Sequence, residues 1–221
     1  TNRIPNVVAC PGILELLKKN ADKFSETKRR LVHSKIVGKL DSYGKEYLTR
    51  QALEAEYAKF DAATDFNGCT LLNIDKIEAM ISYIAESVSN LFKVKLMKML
   101  WYGDALSFKR RGIAMTGMVY RHEPMGALPV GHYSLMNLEN LNIREEESNN
   151  YDLMLHIYPS KGMDYAVLTD EDRSILDDVI KKFKDYKAKE IIEYMHGETA
   201  YTKTKAGEMI PFSLAKGIRE F

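Results

Sequence analysis

Histidine is the side chain that most readily moves a proton near neutral pH. The chain has five, at His33, His122, His132, His156 and His196. No two are three or four positions apart, the spacing at which a helix presents two metal ligands on one face, so the sequence predicts no metal site. His122 with Glu123 flanks the same turn as His132 and could form an acid/base pair, but we expect histidines packed in a sheet or at the surface.

Sequence motifs of known catalytic chemistry are missing. There is no Gly-rich phosphate loop, no His-Glu-x-x-His and no Gly-x-Ser-x-Gly. Cys10 and Cys69 have no Cys-x-x-Cys spacing, so we expect two buried thiols in a reducing compartment. The sequence therefore predicts a protein that is not an enzyme and holds no cofactor. A small enzyme that uses Asp104 or His122 is the alternative, and it requires a concave polar pocket around them.

One carboxylate lies inside an otherwise apolar segment. Residues 92–111 leave few polar positions, which is typical of a helix buried on all sides. Trp101 and Tyr102 could anchor an interface, but we expect them in the core. Asp104 in such a helix needs a cation or several donors, so it either binds Arg121 or faces a groove.

The elements that position these residues follow from hydrophobic spacing. Apolar residues three and four apart predict helices over residues 11–20, from Ser25 onward, 49–63, 74–88, 92–111, 130–138, 170–183 and 187–196. Asn73 is a predicted helix cap, Thr169 and Asp172 have the spacing of a capping box, and Gly112 is placed as a left-handed cap. Alternation predicts strands over 117–123, 141–146 and 151–158, the last two joined as a hairpin by Ser148-Asn149-Asn150. Residues 197–221 have weak periodicity. The predicted fold class is therefore α+β and helix-dominated, with a helical core and a small antiparallel β-sheet.

Composition changes near residues 64–72, where Asp65-Phe66-Asn67-Gly68 supplies turn chemistry. The change predicts a helical extension or linker over residues 1–72 and the principal domain over 73–221.

The net charge is +1, yet residues 1–60 hold 12 Lys and Arg against 7 Asp and Glu by direct count, so the front is basic. No segment is long and apolar enough to span a bilayer, and we expect a cytoplasmic protein without a membrane role.

Residue types suited to protein contacts gather around one turn. They are Tyr120, Met125, Leu128, Pro129, His132 and Tyr133. Because aromatic and methionine side chains make adaptable apolar contacts, we predict a partner-binding surface here. The alternative is that these side chains only close the sheet onto the helices.

The order of these features resembles the Panacea domain of the SocA-like antitoxin family, over roughly residues 73–206. In that family a Lys-Leu-rich helix ending in aromatic residues precedes a strand and a Gly-Pro-Val-Pro turn. The matching segments are Lys95-Leu96-Met97-Lys98-Met99-Leu100-Trp101-Tyr102-Gly103-Asp104, the turn Gly126-Ala127-Leu128-Pro129, the segment Leu168-Thr169-Asp170-Glu171-Asp172, and His196. The first proline of the turn is missing here, and Ala200-Tyr201 replaces a common Pro-Trp. The motif residues that the resemblance gives are Lys95, Leu100, Trp101, Tyr102, Asp104, Gly126 and His196.

The front of the chain is similar to the end of a helix-turn-helix repressor domain. Asn2-Arg3-Ile4-Pro5 and the helix ending Leu16-Leu17-Lys18-Lys19-Asn20 carry this similarity. It implies a recognition helix before Thr1, through which DNA would be bound.

The resemblance implies an antitoxin of a toxin–antitoxin system that neutralises a cognate toxin by direct protein binding. The alternatives are a transcriptional regulator, whose domain here serves dimerisation or sensing, and a proteolysis adaptor. A toxin protein is therefore the expected partner. DNA, a protease and a second copy of the chain stay open as further partners, and the fold does not identify the toxin.

Overall fold

The computed structural model describes residues 49–147, 153–219 and 221. Thr49–Phe221 packs as one compact unit. Several sequence predictions lie outside the described residues: the helices over 11–20 and from Ser25, the helix-turn-helix-like tail, Cys10, and the turn Ser148-Asn149-Asn150.

Helices dominate the order of elements. In chain order, the helices and strands are the described part of α1 (residues 49–57), α2 (Ile74–Ser87), α3 (Lys93–Arg111), β1 (Tyr120–Glu123), β2 (Gly126–Pro129), α4 (His132–Leu135), β3 (Asn142–Glu147), β4 (Leu153–Tyr158), α5 (Asp170–Phe183), α6 (Ala188–His196) and α7 (Thr199–Thr202). Short 3-10 helices cover Ala58–Phe60, Asp65–Asn67, Tyr165–Val167 and Phe212–Gly217. The predicted helix-dominated α+β class is confirmed.

Helix α3 lies at the centre of the core. Every residue from Lys95 to Phe108 is buried, as the nearly uninterrupted apolar sequence predicts. Helices α5 and α6, strand β2 and the 3-10 helix Phe212–Gly217 pack against it. Gly112 ends the helix with a φ of 78°, and its N–H donates to the carbonyl of Phe108, so the predicted left-handed cap is confirmed.

The predicted N-terminal caps are also present. The side chain of Asn73 accepts from the N–H of Lys76 at 2.9 Å, which satisfies one of the amides exposed at the start of α2. Thr169 and Asp172 bond reciprocally at the start of α5, at 3.0 and 3.1 Å. The shorter Asp thus completes a capping box that usually uses Glu.

Two separate two-stranded antiparallel sheets replace the single small sheet that was predicted. Strands β3 and β4 pair as expected from their alternation. The second pair, β1 with β2, was missed because β2 reads Gly-Ala-Leu-Pro, the composition of a turn. The helix predicted over 130–138 shortens to α4, since Gly131 before it has a left-handed φ of 72°.

Residues 49–72 lie within the compact unit Thr49–Phe221. Leu53 and Tyr57 of α1 are core residues. The hydroxyl of Tyr57 accepts from the N–H of Val119 and donates to the carbonyl of Val130, each at 3.1 Å. The division into an extension over residues 1–72 and a principal domain over 73–221 stays a prediction.

The C-terminal segment supplies core side chains that its weak periodicity did not predict. Ile210, Phe212, Ala215 and Ile218 are buried. The ring of Phe212 lies 5.4 Å from that of Trp101 and 5.5 Å from that of Phe108, between centroids. The last turn of the chain thus closes the core beside α3.

Cys69 is exposed, so the prediction of two buried thiols is wrong for this residue. It follows the 3-10 helix Asp65–Asn67, where Gly68 and Cys69 both have positive φ, 62° and 57°. This left-handed turn directs the thiol out of the core.

Candidate functional site

Strands β1 and β2 form a hairpin whose loop is only Pro124 and Met125, between the paired residues Glu123 and Gly126. Gly126 has a φ of 97°, and a Cβ there would lie 2.9 Å from Met195 Cγ. Only glycine meets both requirements without strain. Because of this tight turn, Met125 is held out from the surface with 55% of its area exposed.

A groove of about 520 Å³ separates this hairpin from the first turns of α3. Val94, Met97, Met125 and Leu128 give it apolar walls, and Tyr133 from α4 borders it with 73% of its area exposed. The full lining is Lys93, Val94, Met97, Lys98, Glu123, Pro124, Met125, Leu128, His132 and Tyr133. We call this cavity the hairpin groove.

Two lysines of α3 put positive charge in the hairpin groove. Lys98 is 2% exposed, and its Nζ donates to the carbonyl of Ala127 at 2.8 Å. Burial lowers the pKa of Lys98 to about 8. The Nζ of Lys93 lies 4.6 Å from the centre of the Tyr133 ring, and burial lowers its pKa as well. The pKa of His132 is also below its ordinary value, first through burial and then through the nearby charge of Lys93.

Residues of α6 and α7 hold the hairpin loop through hydrogen bonds and ring stacking. The carbonyl of Pro124 accepts from the Nε2 of His196 at 3.1 Å and from the hydroxyl of Tyr201 at 3.4 Å. The Tyr201 ring stacks on His196 at 4.3 Å and on His122 at 3.8 Å between centroids. These contacts fix the loop that carries Met125.

Residues 96–201 match the family model of the antitoxin SocA-like Panacea domain. These residues are a Panacea domain. No curated protein and no solved structure matches the chain. The predicted family is therefore confirmed, and the matched segment includes the hairpin, α4 and the His196–Tyr201 contacts behind the loop.

Four of the six predicted contact residues of the Panacea domain line the hairpin groove: Met125, Leu128, His132 and Tyr133. The other two, Tyr120 and Pro129, are buried. Tyr120 is 0% exposed and donates its hydroxyl to Asp104, and Pro129 pairs with Tyr120 across the hairpin. Tyr120 belongs to the core, whereas Pro129 lines a smaller hollow beside the groove. The part of these two residues in partner binding stays a prediction.

The helix side of the groove, formed by Lys93, Val94, Met97 and Lys98, was missed by the sequence reasoning. Lysines spaced along an otherwise apolar helix were the available signal. Only the packing of the hairpin across α3 brings them beside Met125.

Asp104 has a structural role in the Panacea domain. Its carboxylate accepts from the N–H groups of Met115 and Thr116 at 2.9 and 2.8 Å, and from the hydroxyls of Thr116 and Tyr120 at 2.6 and 2.7 Å. The two alternatives predicted for Asp104 were a contact with Arg121 and a position facing a groove; its four hydrogen bonds instead come from Met115, Thr116 and Tyr120, and its side chain is 0% exposed. Burial raises the pKa of Asp104 to about 6, against the four hydrogen bonds that lower it.

The remaining motif residues are also interior. Leu100, Trp101 and Tyr102 are 0% exposed, and Lys95 is 4% exposed with its Nζ on the carbonyl of Lys184 at 2.6 Å. The hydroxyl of Tyr102 donates to Glu198 at 3.3 Å, whereas the buried Nε1 of Trp101 has no hydrogen-bond partner among the described residues. The core reading of Trp101 and Tyr102 is thus the one that the structure supports.

The suggested acid/base pair at the turn is not assembled. The Nδ1 of His122 lies 2.9 Å from the hydroxyl of Thr204, while His132 borders the hairpin groove. Asp104 is fully buried and lines neither this groove nor the hollows below. Within residues 49–147, 153–219 and 221, no three His, Cys, Asp or Glu side chains gather in a way that could hold a metal ion.

Two further hollows are more polar. One of about 200 Å³ adjoins the groove across Leu128, and Arg121 lines it with a buried Nε that has no hydrogen-bond partner among the described residues. The other, of about 780 Å³, is lined by Asp75, Glu78, Arg144 and Lys161 among others. It offers few apolar anchors for a protein partner.

In the part of the chain that the structure describes, no helix is long and apolar enough to cross a membrane.

Proposed function

We propose that this chain is a non-enzymatic antitoxin, which neutralises a cognate toxin by binding it directly at the hairpin groove. The Panacea domain supports the antitoxin role. The observation that carries the choice of surface is the pair of large apolar side chains, Met125 and Tyr133, that stand out beside an apolar groove with 55% and 73% of their area exposed. Exposed apolar side chains around a cavity are typical of protein-binding sites.

The rigidity of the hairpin favours tight binding. Its loop has two residues, Gly126 sets the turn, and His196 and Tyr201 hold the carbonyl of Pro124. A surface that is already ordered loses less conformational entropy when a partner docks. The methionine side chains of the groove can still adapt to the partner's shape.

Co-expression with the small open reading frames beside its gene tests the antitoxin role. We expect one of them to arrest growth alone and to be tolerated, and co-purified, with this chain. If no neighbour is rescued or co-purified, the antitoxin role is contradicted. The toxin level in rescued cells separates simple sequestration, which leaves it unchanged, from hand-over to a protease, which lowers it.

Charged substitutions test the surface. Met125→Asp and Tyr133→Asp place a carboxylate at the predicted contact without disturbing the core, and we expect each to weaken toxin binding by roughly 10- to 100-fold, the usual effect of losing a central apolar contact. Leu71→Asp is the matched control, because Leu71 is 53% exposed and lines none of the described cavities. Full neutralisation by both groove variants would show that the toxin binds elsewhere.

A further inference from the structure

We propose that the hairpin groove selects an anionic apolar segment, in which a carboxylate that pairs with Lys98 is flanked by apolar side chains. This inference rests on the proposed function, since the segment would belong to the toxin. It adds the chemistry of the bound element to the location of the site.

Lys98 is the residue that demands an anion. An ammonium group has three donors, and among the described residues the Nζ of Lys98 has one acceptor, the carbonyl of Ala127. The side chain is nevertheless 2% exposed and lines the groove. A buried charge without a counter-charge is costly, and a carboxylate that enters the groove would remove much of that cost.

The contrast with Lys95, three residues earlier on α3, shows that burial alone does not explain Lys98. The Nζ of Lys95 reaches the carbonyl of Lys184, the C-cap of α5, where the helix dipole favours a cation. Burial lowers the pKa of Lys95, and the charges of Asp185 and Glu190 partly oppose this shift. Lys98 has no helix end beside it, and although the charge of Glu123 opposes the lowering of its pKa, no carboxylate in the described ranges forms an ion pair with it. Its charge is therefore open to a partner.

The other charges around the groove also favour an anionic partner. Within the described ranges no ion pair joins Lys93 or Lys98 to a carboxylate, and Glu123 is the one acid that lines the groove. In the adjoining hollow the Nε of Arg121 has no hydrogen-bond partner among the described residues, and Glu56 and Glu123 line the same hollow. The apolar walls from Val94, Met97 and Leu128 complete the complementarity, because they would cover side chains on either side of the carboxylate.

A carboxylate that pairs with Lys98 must find the ammonium form. The pKa of Lys98 is about 8 in the free protein and rises when an anion binds, so affinity should fall as the pH rises from about 7 to about 9.5. The charged groups that share the groove are Lys93, Glu123 and His132. His132 is already neutral at the lower pH because its pKa is below the ordinary value, and Lys93 remains when Lys98 is replaced.

Methyl-labelled methionines followed by NMR in the full chain provide the test, since Met97 and Met125 line the groove, whereas Met80 and Met99 do not. The probes are acetyl-Gly-Leu-Phe with a free carboxylate, the same peptide as its amide, and acetyl-Leu-Glu-Phe amide. We expect at least one acidic peptide to shift Met97 and Met125, to bind roughly tenfold more tightly than the neutral amide, and to lose that advantage at about pH 9.5. The better of the two acids identifies a chain terminus or a Glu side chain as the source. Equal binding of all three peptides, or no shift of Met97 and Met125 with either acid, would overturn the inference.

Lys98→Leu and Lys95→Leu form a matched pair, since each removes one buried ammonium from the same helix. We expect Lys98→Leu to abolish the preference for the acidic peptide and Lys95→Leu to keep it.

Toxin binding separates the two proposals. If Met125→Asp abolishes it while Lys98→Leu leaves it intact, the groove is the contact surface and the carboxylate inference is wrong. If neither variant affects it, both proposals fail. If Lys98→Leu does not fold, the comparison of the three peptides on the unaltered chain still tests the carboxylate inference.

Discussion

Two buried carboxylates of this domain are satisfied in opposite ways. Asp104 accepts four hydrogen bonds from neutral groups, and burial raises its pKa to about 6. Asp172 is equally buried but pairs with Lys76 and Arg111, each at 2.7 Å. Burial raises the pKa of Asp172, yet the hydrogen bonds from Lys76, Thr169 and Arg111 outweigh it, so its pKa lies below the ordinary value.

The two residues should respond to acid with opposite signs. Because the folded state raises the pKa of Asp104, it binds the proton more tightly than the unfolded chain, and acidification from about pH 7 to about pH 4 stabilises the native protein at this residue. We therefore expect the difference in free energy of unfolding, wild type minus Asp104→Asn, to increase as the pH falls over this range. Urea unfolding at each pH measures the difference.

Asp172→Asn is the control of opposite sign. The folded state lowers the pKa of Asp172, so its stabilisation is present above the unfolded pKa, near 4, and is lost as the pH falls below it. The advantage of the wild type over Asp172→Asn, about 3 kcal/mol at neutral pH for a broken buried ion pair, should therefore shrink in acid. Parallel curves for the two variants would contradict the assigned environments.

At the scale of single residues, the sequence predicted the need of Asp104 for partners but not their identity. Residues alternate along β1, so Tyr120 and His122 are buried while Arg121 and Glu123 are less so. Arg121 therefore faces away from Asp104. Three of the four hydrogen bonds come instead from Met115 and Thr116 in the loop after α3, whose path no periodic pattern describes, and the fourth comes from Tyr120 of β1.

At the scale of elements, the regular helices could be predicted and the hairpin could not. The caps at Asn73, Gly112 and Thr169 are local signals, which act within a few residues. Strand β2 has four residues, begins with Gly126 and ends with Pro129, so its pairing with β1 was hidden by residues typical of turns. The groove shares this origin, because it exists only where the hairpin crosses α3.

Gly126→Ala tests how closely the hairpin is fitted to its support. An alanine there meets a φ of 97° and a Cβ position 2.9 Å from Met195 and 3.0 Å from Lys98, so we expect a loss of about 2 kcal/mol or more in the free energy of unfolding. Gly162→Ala is the control, because Gly162 has a φ of 75° but nothing within 4 Å of the added Cβ. It should cost about 1 kcal/mol, the backbone part alone. Urea unfolding measures both losses. Equal losses of unfolding free energy in the two variants would mean that the side chains around Gly126 move aside for the added methyl group.

At the scale of the whole molecule, both ends of the described unit contribute to one core. Leu53 and Tyr57 come from its beginning, and Phe212 and Ala215 come from its end. The sequence could not predict this arrangement. Sparse apolar residues near a terminus look like a tail unless the contacts that bury them are known.

Phe212→Ala measures the contribution of the C-terminal segment. Its ring is 0% exposed and contacts those of Trp101, Phe108 and Tyr120, so we expect a loss of roughly 3–5 kcal/mol in the free energy of unfolding. Phe66→Ala is the control, since Phe66 is 41% exposed and should lose well under half as much. A small effect at Phe212 would show that the core closes without the end of the chain.

The complete burial of α3 from Lys95 to Phe108 has an evolutionary consequence. Each of these positions is surrounded by packed neighbours, so most replacements there lower stability before they change any surface. The exposed side chains of Met125 and Tyr133 have no such constraint. Under the proposed function, a lineage would therefore change its partner by substitutions around the hairpin loop while the sequence of the inner helix stays the same.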